Sequence, residues 1–203
     1  DNRLSLFAEL GKNPMELQPF PQSGLIAQLD FSDAAFNSDF NYQRFRAIGM
    51  VKTKTFYKEL FVAPYLQFTI DAGLITGAYG PQHIFTPNTA LAFYSPPGVF
   101  KGLKPYEFVG TEMIAMHLEH NWRTVPFQAV GLDFITDLHI DLITGISGLR
   151  MWNKSEYLKE YSMDEPYWEV YLGISRLFAF LRLDFAYTSL DKFAARAAIA
   201  VIF

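Results

Sequence analysis

Apolar and polar residues alternate along most of this chain with a period of two. The clearest run is 193–203, in which Phe193 and every second residue up to Phe203 are apolar, while Arg196 lies on the other face. This period is typical of a β-strand with one apolar and one polar face. An apolar strand of this kind would be an exposed edge in a soluble protein, whereas a closed membrane barrel pairs it with its first strand.

The same alternation recurs in nine segments, each long enough to cross a bilayer as a tilted strand. We assign the more apolar face of each to lipid and the polar face to the interior. The pattern predicts an all-β fold, a transmembrane antiparallel β-barrel formed by one region, residues 1–203. The segments are 3–10, 24–32, 42–55, 66–75, 111–121, 132–147, 168–175, 181–190 and 193–203.

One face of the third segment carries four cations: Arg44, Arg46, Lys52 and Lys54. Four cations on one face are incompatible with hydrocarbon, so this face is predicted to line a wet lumen. The stripe could bind anions or lipopolysaccharide phosphate. Pairing with interior aspartates and glutamates is the favoured interpretation.

Two clusters of polar residues are candidates for a metal-binding or catalytic site. His117, Glu119 and His120 resemble a metal or acid–base site, but alternation places His120 on the opposite face from the other two. Asp137, His139 and Asp141 share a face in segment 132–147 and, with Ser147, would form a hydrolase-like set. Ordinary hydrogen bonding in the lumen is the favoured role for both, and we expect no catalytic residue and no metal.

The connections between segments are predicted to alternate between short turns, such as 123–128 and 176–180, and longer loops on the other side, 79–107 and 153–165. Loop 79–107 is the longest irregular stretch and is rich in proline and glycine. Long loops of this kind are usually functional. Aromatic residues such as Phe56, Trp122, Trp152 and Trp168 lie near segment ends, as in interfacial girdles.

The composition narrows the class of protein further. No window has the roughly 18 continuous apolar residues that a membrane-spanning helix needs, although 50% of the 203 residues are hydrophobic. The absence of cysteine excludes disulfides and thiolate sites. A net charge of −4 provides no basic footprint for nucleic acid. Nine is an odd strand number, so we expect either a closed eight-stranded barrel or the last strands of a larger one.

Two stretches carry a family resemblance, Tyr106–Trp122 (YEFVGTEMIAMHLEHNW) and Tyr167–Tyr187 (YWEVYLGISRLFAFLRLDFAY). In order and spacing they resemble the strand after the inserted loop and the penultimate hairpin of BamA/TamA-like surface-antigen barrels. The chain most resembles the Bacteroidetes barrels that carry an N-terminal carboxypeptidase-regulatory-like domain. The terminal Phe203 fits this pattern as well.

The resemblance implies that the chain is the C-terminal part of a sixteen-stranded barrel in the bacterial outer membrane, with loop 79–107 folded back into the lumen. Lys101, before Gly102, would replace the arginine with which the family's loop meets lumenal carboxylates. Glu119 matches the family carboxylate on the next strand, and Asp137 and Asp141 lie near a second. Lysine lacks arginine's bidentate fork, which weakens this anchor.

The implied role is non-enzymatic: assembly or translocation of envelope proteins, without a cofactor. The expected partners are outer-membrane lipid and lipopolysaccharide, client outer-membrane proteins and other envelope subunits, and not nucleic acid. In such a barrel the first and last strands meet at a weak seam, here formed by Phe193, Arg196 and Phe203, where a client strand can pair. The alternative function is a porin-like or small structural barrel whose charged lumen filters solutes.

Overall fold

The computed structural model describes residues 2–11, 22–58, 63–91, 93–154, 158, 161, 163–178 and 180–199. Their strands form one sheet in the order β1-β2-β3-β4-β6-β7-β8-β9-β10-β5. The strands are β1 (Leu4–Gly11), β2 (Gln22–Ser32), β3 (Asn41–Lys54), β4 (Tyr65–Ala78), β5 (Phe93–Tyr94), β6 (Glu112–Arg123), β7 (Asp141–Trp152), β8 (Tyr167–Leu177), β9 (Leu181–Thr188) and β10 (Phe193–Ile199).

Nine of these strands are long and antiparallel, and each pairs with its neighbours in the chain once the short β5 is set aside. The predicted all-β class and the predicted number of strands are confirmed. The exception is β5, which runs parallel to β10 through the pairs Ala198↔Phe93 and Ile199↔Tyr94. Within the described residues β1 pairs only with β2, so one edge of the sheet is β1 and the other is β5.

The predicted faces are confirmed for β2 to β4 and for β6 to β10, whereas β1 is exposed on both of its faces within the described residues. The inner face, against which loop 79–107 packs, carries buried residues such as Asp71, Glu119 and Glu169. The outer face carries large apolar side chains that are each more than a third exposed: Leu25, Phe45, Phe68, Leu74, Met116, Leu118, Ile146, Val170, Leu172, Phe193 and Ile199. The covered side of the sheet therefore holds the buried charged residues as well as a set of buried apolar ones, whereas its open side carries large exposed apolar side chains.

One predicted segment is wrong in its bounds. Residues 132–140 precede strand β7 and include the helix α2 (Asp133–Asp137), and α1 (Val125–Ala129) replaces the predicted short turn 123–128. Val130, Phe134 and Leu138 are apolar four residues apart, a spacing that satisfies a helical and an alternating pattern equally. Asp133 in the first turn favours the helix. Among the described residues, no helix has both the length and the apolar character needed to cross a membrane.

A core lies between the inner face and loop 79–107. It combines Tyr42 and Ile75 from β3 and β4 with Phe85, Phe100 and Leu103 from the loop. Further members come from β6, β7 and β8: Met113, Ala115, Leu149, Met151 and Tyr167. Because the strands place these side chains on the covered face, the loop completes the core.

Candidate functional site

Loop 79–107 lies against the inner face of the sheet, where its side chains join those of the strands in one core. Its base is closed by two backbone hydrogen bonds between Phe85 and Gly110, of 2.8 and 3.0 Å. Within the loop, Ala90 N–H donates to the Phe100 carbonyl at 2.8 Å, and Phe100 N–H donates to the Asn88 carbonyl at 2.9 Å. The loop therefore has internal structure of its own, and it contacts the sheet along both of its halves.

The main polar anchor of the loop is Glu169 on β8. Its carboxylate accepts the backbone N–H of Lys101 at 2.7 Å and that of Gly102 at 2.8 Å, one on each oxygen. The Tyr167 hydroxyl donates to the same carboxylate at 2.7 Å. Glu169 is fully buried, so these three bonds replace its water shell and hold the loop backbone at a fixed height above β8.

The close approach of the loop backbone to Glu169 requires a glycine at position 102. A Cβ added there would lie 2.3 Å from Thr188 Cγ2 and 3.1 Å from Glu169 Oε2. The predicted importance of the Lys101-Gly102 pair is therefore given a physical reason by the structure, but through backbone N–H groups rather than through the lysine side chain.

The expected partners of Lys101 need correction. The Lys101 ammonium donates to the Pro96 carbonyl at 2.7 Å and lies 5.5 Å from the ring centre of Tyr171. Glu119 instead bonds Arg182 at 3.1 Å and the Tyr171 hydroxyl at 3.0 Å. Burial, followed by the charge of Arg182, lowers the pKa of Lys101 to about 8. Arg182 on β9 has thus taken the place beside Glu119 that the loop cation was expected to fill.

Two further residues of the last strands hold the loop. Asp184 on β9 accepts the Ser95 hydroxyl at 2.7 Å and also pairs with Arg182. Arg196 on β10 donates to three loop carbonyls: to Ala90 at 2.9 Å, to Leu103 at 2.6 Å and to that of Lys101. The loop is therefore fixed to β8 by Glu169, to β9 by Asp184 and to β10 by Arg196.

Glycines on the inner face make room for large side chains. A Cβ at Gly73 would lie 2.5 Å from the ring of Phe85, and a Cβ at Gly145 would lie 2.1 Å from the ring of Tyr171. Phe85 thus wedges the loop onto β4, and Tyr171 crosses β7 to reach Glu119. A larger residue at Gly73 would therefore collide with Phe85 of the loop, and one at Gly145 would collide with Tyr171 beneath it.

The predicted basic stripe faces inward on β3. Arg44 bonds Asp30 at 3.3 Å and the His83 carbonyl at 3.1 Å, and Arg46 forms a bidentate pair with Asp71 at 3.0 and 2.6 Å. The two lysines make other contacts: Lys52 lies 4.3 Å from the ring centre of Tyr65, and the Lys54 ammonium donates to the Lys58 carbonyl at 2.9 Å. The favoured pairing with interior aspartates therefore applies to the arginines.

The hydrolase-like set does not assemble. Asp137 ends α2 and is exposed, and His139 is an exposed residue in the linker before β7. Asp141 faces inward but bonds Arg123 at 2.7 Å, and Ser147, six residues along the strand, is about 20 Å away. Asp137 and Asp141 are consequently wrong as loop anchors, because the first lies on a helix and the second is engaged at the opposite end of the strand from the loop.

His117, Glu119 and His120 do not converge either. His120 lies on the other face, where its Nε2 contacts the Thr55 hydroxyl at 2.9 Å. His117 Nδ1 contacts the Ser147 hydroxyl at 2.9 Å, and its ring lies 4.5 Å from that of Phe100. This histidine–serine pair is buried beneath the loop, and the ring of Phe100 packs against the histidine.

The predicted seam residues separate into two groups. Phe193 is exposed on the outer face, and Arg196 turns inward to the loop. Phe203 lies outside the described residues.

From the sequence, Glu169 and Asp184 are assigned only to the polar faces of segments 168–175 and 181–190, and Arg196 only to the seam strand. The alternating pattern locates them on the polar face, but not which of them meets the loop. Comparison with known proteins adds no family: the sequence matches no protein-family model, and a search of curated proteins finds no match.

Proposed function

We propose that this chain forms part of an outer-membrane β-barrel of the BamA-like kind, which assists the assembly or translocation of other envelope proteins. The observation that carries the proposal is the loop that is fixed by Lys101 and Gly102 to the inner face of an antiparallel sheet whose outer face is apolar. Such a loop stiffens the last strands while it leaves the outer face free for lipid.

The outer face supports a location in lipid. More than ten large apolar side chains on it are over a third exposed, spread over most of the nine long strands. Contiguous apolar surface of this extent is rare on soluble monomers. Exposed aromatic residues lie at the strand ends, Trp152 and Trp168 at the loop end and Phe56 near the other, where girdles at the two membrane–water interfaces are expected.

The inner face supports a polar interior. Its charges are matched in the region of the loop, where Glu119, Glu169 and Asp184 lie among Lys101, Arg182 and Arg196. A balanced, hydrogen-bonded set of this kind is the arrangement that makes buried charge tolerable.

The alternative is a porin-like barrel with a charged lumen. The ion pairs Asp30–Arg44 and Arg46–Asp71, which line β2 to β4, favour this function because they place fixed charges along the inner face. The loop that covers β8 to β10 favours the assembly function over an open solute path.

The two functions are separated by reconstitution of the chain in liposomes. Assembly activity predicts that an unfolded eight-stranded outer-membrane barrel folds several-fold faster in these liposomes than in empty ones. It also predicts that Gly102→Ala, which undocks the loop, loses this acceleration, while Gly148→Ala keeps it, since a Cβ at Gly148 meets nothing within 4 Å. Stepwise ion conductance in a planar bilayer, with no acceleration of folding, would establish the porin-like function instead.

A further inference from the structure

Two arginines converge on Asp141 at the end of the sheet opposite the loop. Arg123, at the end of β6, bonds one carboxylate oxygen at 2.7 Å, and Arg176, near the end of β8, lies 3.8 Å from the other oxygen. Asp141 is buried and begins β7, which lies between these two strands in the sheet. Three neighbouring strands therefore contribute one charged side chain each to a single cluster.

The backbone at both arginines departs from regular strand geometry. Arg123 has a φ of 56° and Arg176 a φ of 66°, a left-handed conformation that residues other than glycine seldom adopt. Each arginine also lies at a register shift, the first between Asn121 and Arg123 and the second between Ile174 and Leu177. Such irregularities re-aim side chains and are over-represented beside active and binding sites. Two separate distortions of the sheet thus bring the two guanidinium groups to one carboxylate.

Positive charge exceeds negative charge in this cluster. Lys52 and Arg123 lie over the same ring, that of Tyr65, at 4.3 and 5.4 Å from its centre, so Lys52 adds a third cation. Within the part of the chain that the structure describes, Asp141 is the one carboxylate that pairs with either arginine. Glu119, an inward carboxylate of β6, is engaged beneath the loop. Three cations beside one carboxylate favour the binding of an anion.

Two buried atoms of the cluster have no hydrogen-bond partner among the described residues: Arg123 Nε, a donor, and Asp141 Oδ1, an acceptor. Arg176 faces Asp141 Oδ1 at 3.8 Å, which is too far for a hydrogen bond. Arg123 donates to Asp141 through Nη1, so its Nε remains for a second oxygen. A ligand that satisfies both atoms must accept from the guanidinium and donate to the carboxylate.

We propose that Arg123, Arg176 and Asp141 form a binding site for a phosphate group that carries a P–OH, either inorganic phosphate or a phosphomonoester. Its unprotonated oxygens accept from Arg123 Nε and from Arg176, and its P–OH donates to Asp141 Oδ1. At about pH 6, at least about half of such groups carry this hydrogen. Sulfate has the same shape but no hydrogen to donate, and a phosphodiester lacks it too. The carboxylate therefore selects phosphate because it repels oxyanions that are fully deprotonated.

The proposal is tested by competition for radiolabelled inorganic phosphate. The protein is kept in a detergent that contains no phosphate, and it is dialysed against the label at about pH 6. Ionic strength is held constant, because screening alone weakens the binding of anions. Unlabelled sulfate is expected to compete at least about tenfold more weakly than unlabelled phosphate, since it leaves Asp141 Oδ1 facing a second negative oxygen.

Three variants assign the effect to the cluster. Asp141→Asn keeps the size of the side chain and removes its charge, so sulfate should then compete as well as phosphate, to within about twofold. Arg176→Gln removes a charged donor and is expected to weaken phosphate binding at least about tenfold. Arg150→Gln is the control, because Arg150 lies at the other end of β7 and bonds the Asp164 carbonyl; it should bind phosphate as the unsubstituted protein does.

Equal competition by sulfate and phosphate in the unsubstituted protein would overturn the proposal, and this result requires no variant to fold. Phosphate binding that Arg176→Gln leaves unchanged would overturn it as well.

The source of the phosphate group is identified with phosphatidic acid, a lipid phosphomonoester, added to the micelles. Displacement of the label at a lower concentration than inorganic phosphate requires supports the site and identifies a lipid as its ligand. Displacement only at an equal or higher concentration supports the site with free phosphate as its ligand. The measurement follows neither client folding nor placement in a bilayer, so its outcome is independent of the proposed assembly function.

Discussion

The substitution Glu169→Ala tests the loop anchor most sharply. It removes the acceptor of the Lys101 and Gly102 N–H groups and of the Tyr167 hydroxyl, at a site with no exposure to solvent. A buried donor left unsatisfied costs about 1–3 kcal/mol. The two backbone donors alone therefore predict that docking of the loop is weakened by about 2–6 kcal/mol.

This loss is measured by hydrogen exchange of the Lys101 and Gly102 amides in detergent. Because each 1.4 kcal/mol changes an equilibrium tenfold, exchange limited by loop opening is expected to accelerate at least about 30-fold. Glu169→Gln keeps one acceptor oxygen but turns an amide donor toward the other N–H, so we expect an intermediate acceleration.

The matched control is Glu112→Ala on β6. Glu112 pairs with Lys154, which is largely exposed, and such pairs contribute about 0–1 kcal/mol. Exchange at Lys101 and Gly102 should therefore change by no more than about fivefold. An equally small change in Glu169→Ala would refute the anchor and the path assigned to the loop.

Three further predictions concern the fit between loop and sheet. Gly145→Ala should lower the unfolding temperature by several degrees, because its Cβ would occupy the ring position of Tyr171. Gly148→Ala on the same strand should leave the unfolding temperature unchanged. Equal unfolding temperatures of the two variants would contradict this packing. Gly102→Ala should accelerate exchange at Lys101 at least tenfold, since Thr188 and Glu169 leave no room for a Cβ, and an unchanged rate would contradict this close approach. The pKa of Lys101 is about 8 in the folded protein and 10.5 in the unfolded chain, so the unfolded chain holds this proton more tightly. The free energy of unfolding should therefore rise between pH 8 and pH 10.5 in chemical denaturation. The part of this rise that is due to Lys101 should vanish in Lys101→Met.

The sequence predicted the faces of the strands well because burial of one face imposes a strict period of two. Arg44, Asp71, Glu119 and Arg182 all lie on the predicted face. Segment 132–147 failed because apolar residues four apart satisfy two periods at once, and neither pattern alone decides between helix and strand.

The partners of the loop were less predictable. Lys101 and Gly102 were identified, but the carboxylate that meets them is Glu169 and not Glu119, because Arg182 already occupies Glu119. The choice depends on which residues lie opposite one another across β6, β8 and β9. Register of this kind is fixed by the whole sheet and is not contained in any one segment.

The central claim, that the outer face of the sheet lies in lipid, is tested most directly by a scan of single cysteines along β6. Each cysteine carries an environment-sensitive fluorophore, and the protein is reconstituted in vesicles of brominated lipid. Quenching should be strong at the outer positions Ile114, Met116 and Leu118 and weak at Ala115 and His117 between them. Uniform quenching, or none at the outer positions, would contradict a membrane-embedded sheet.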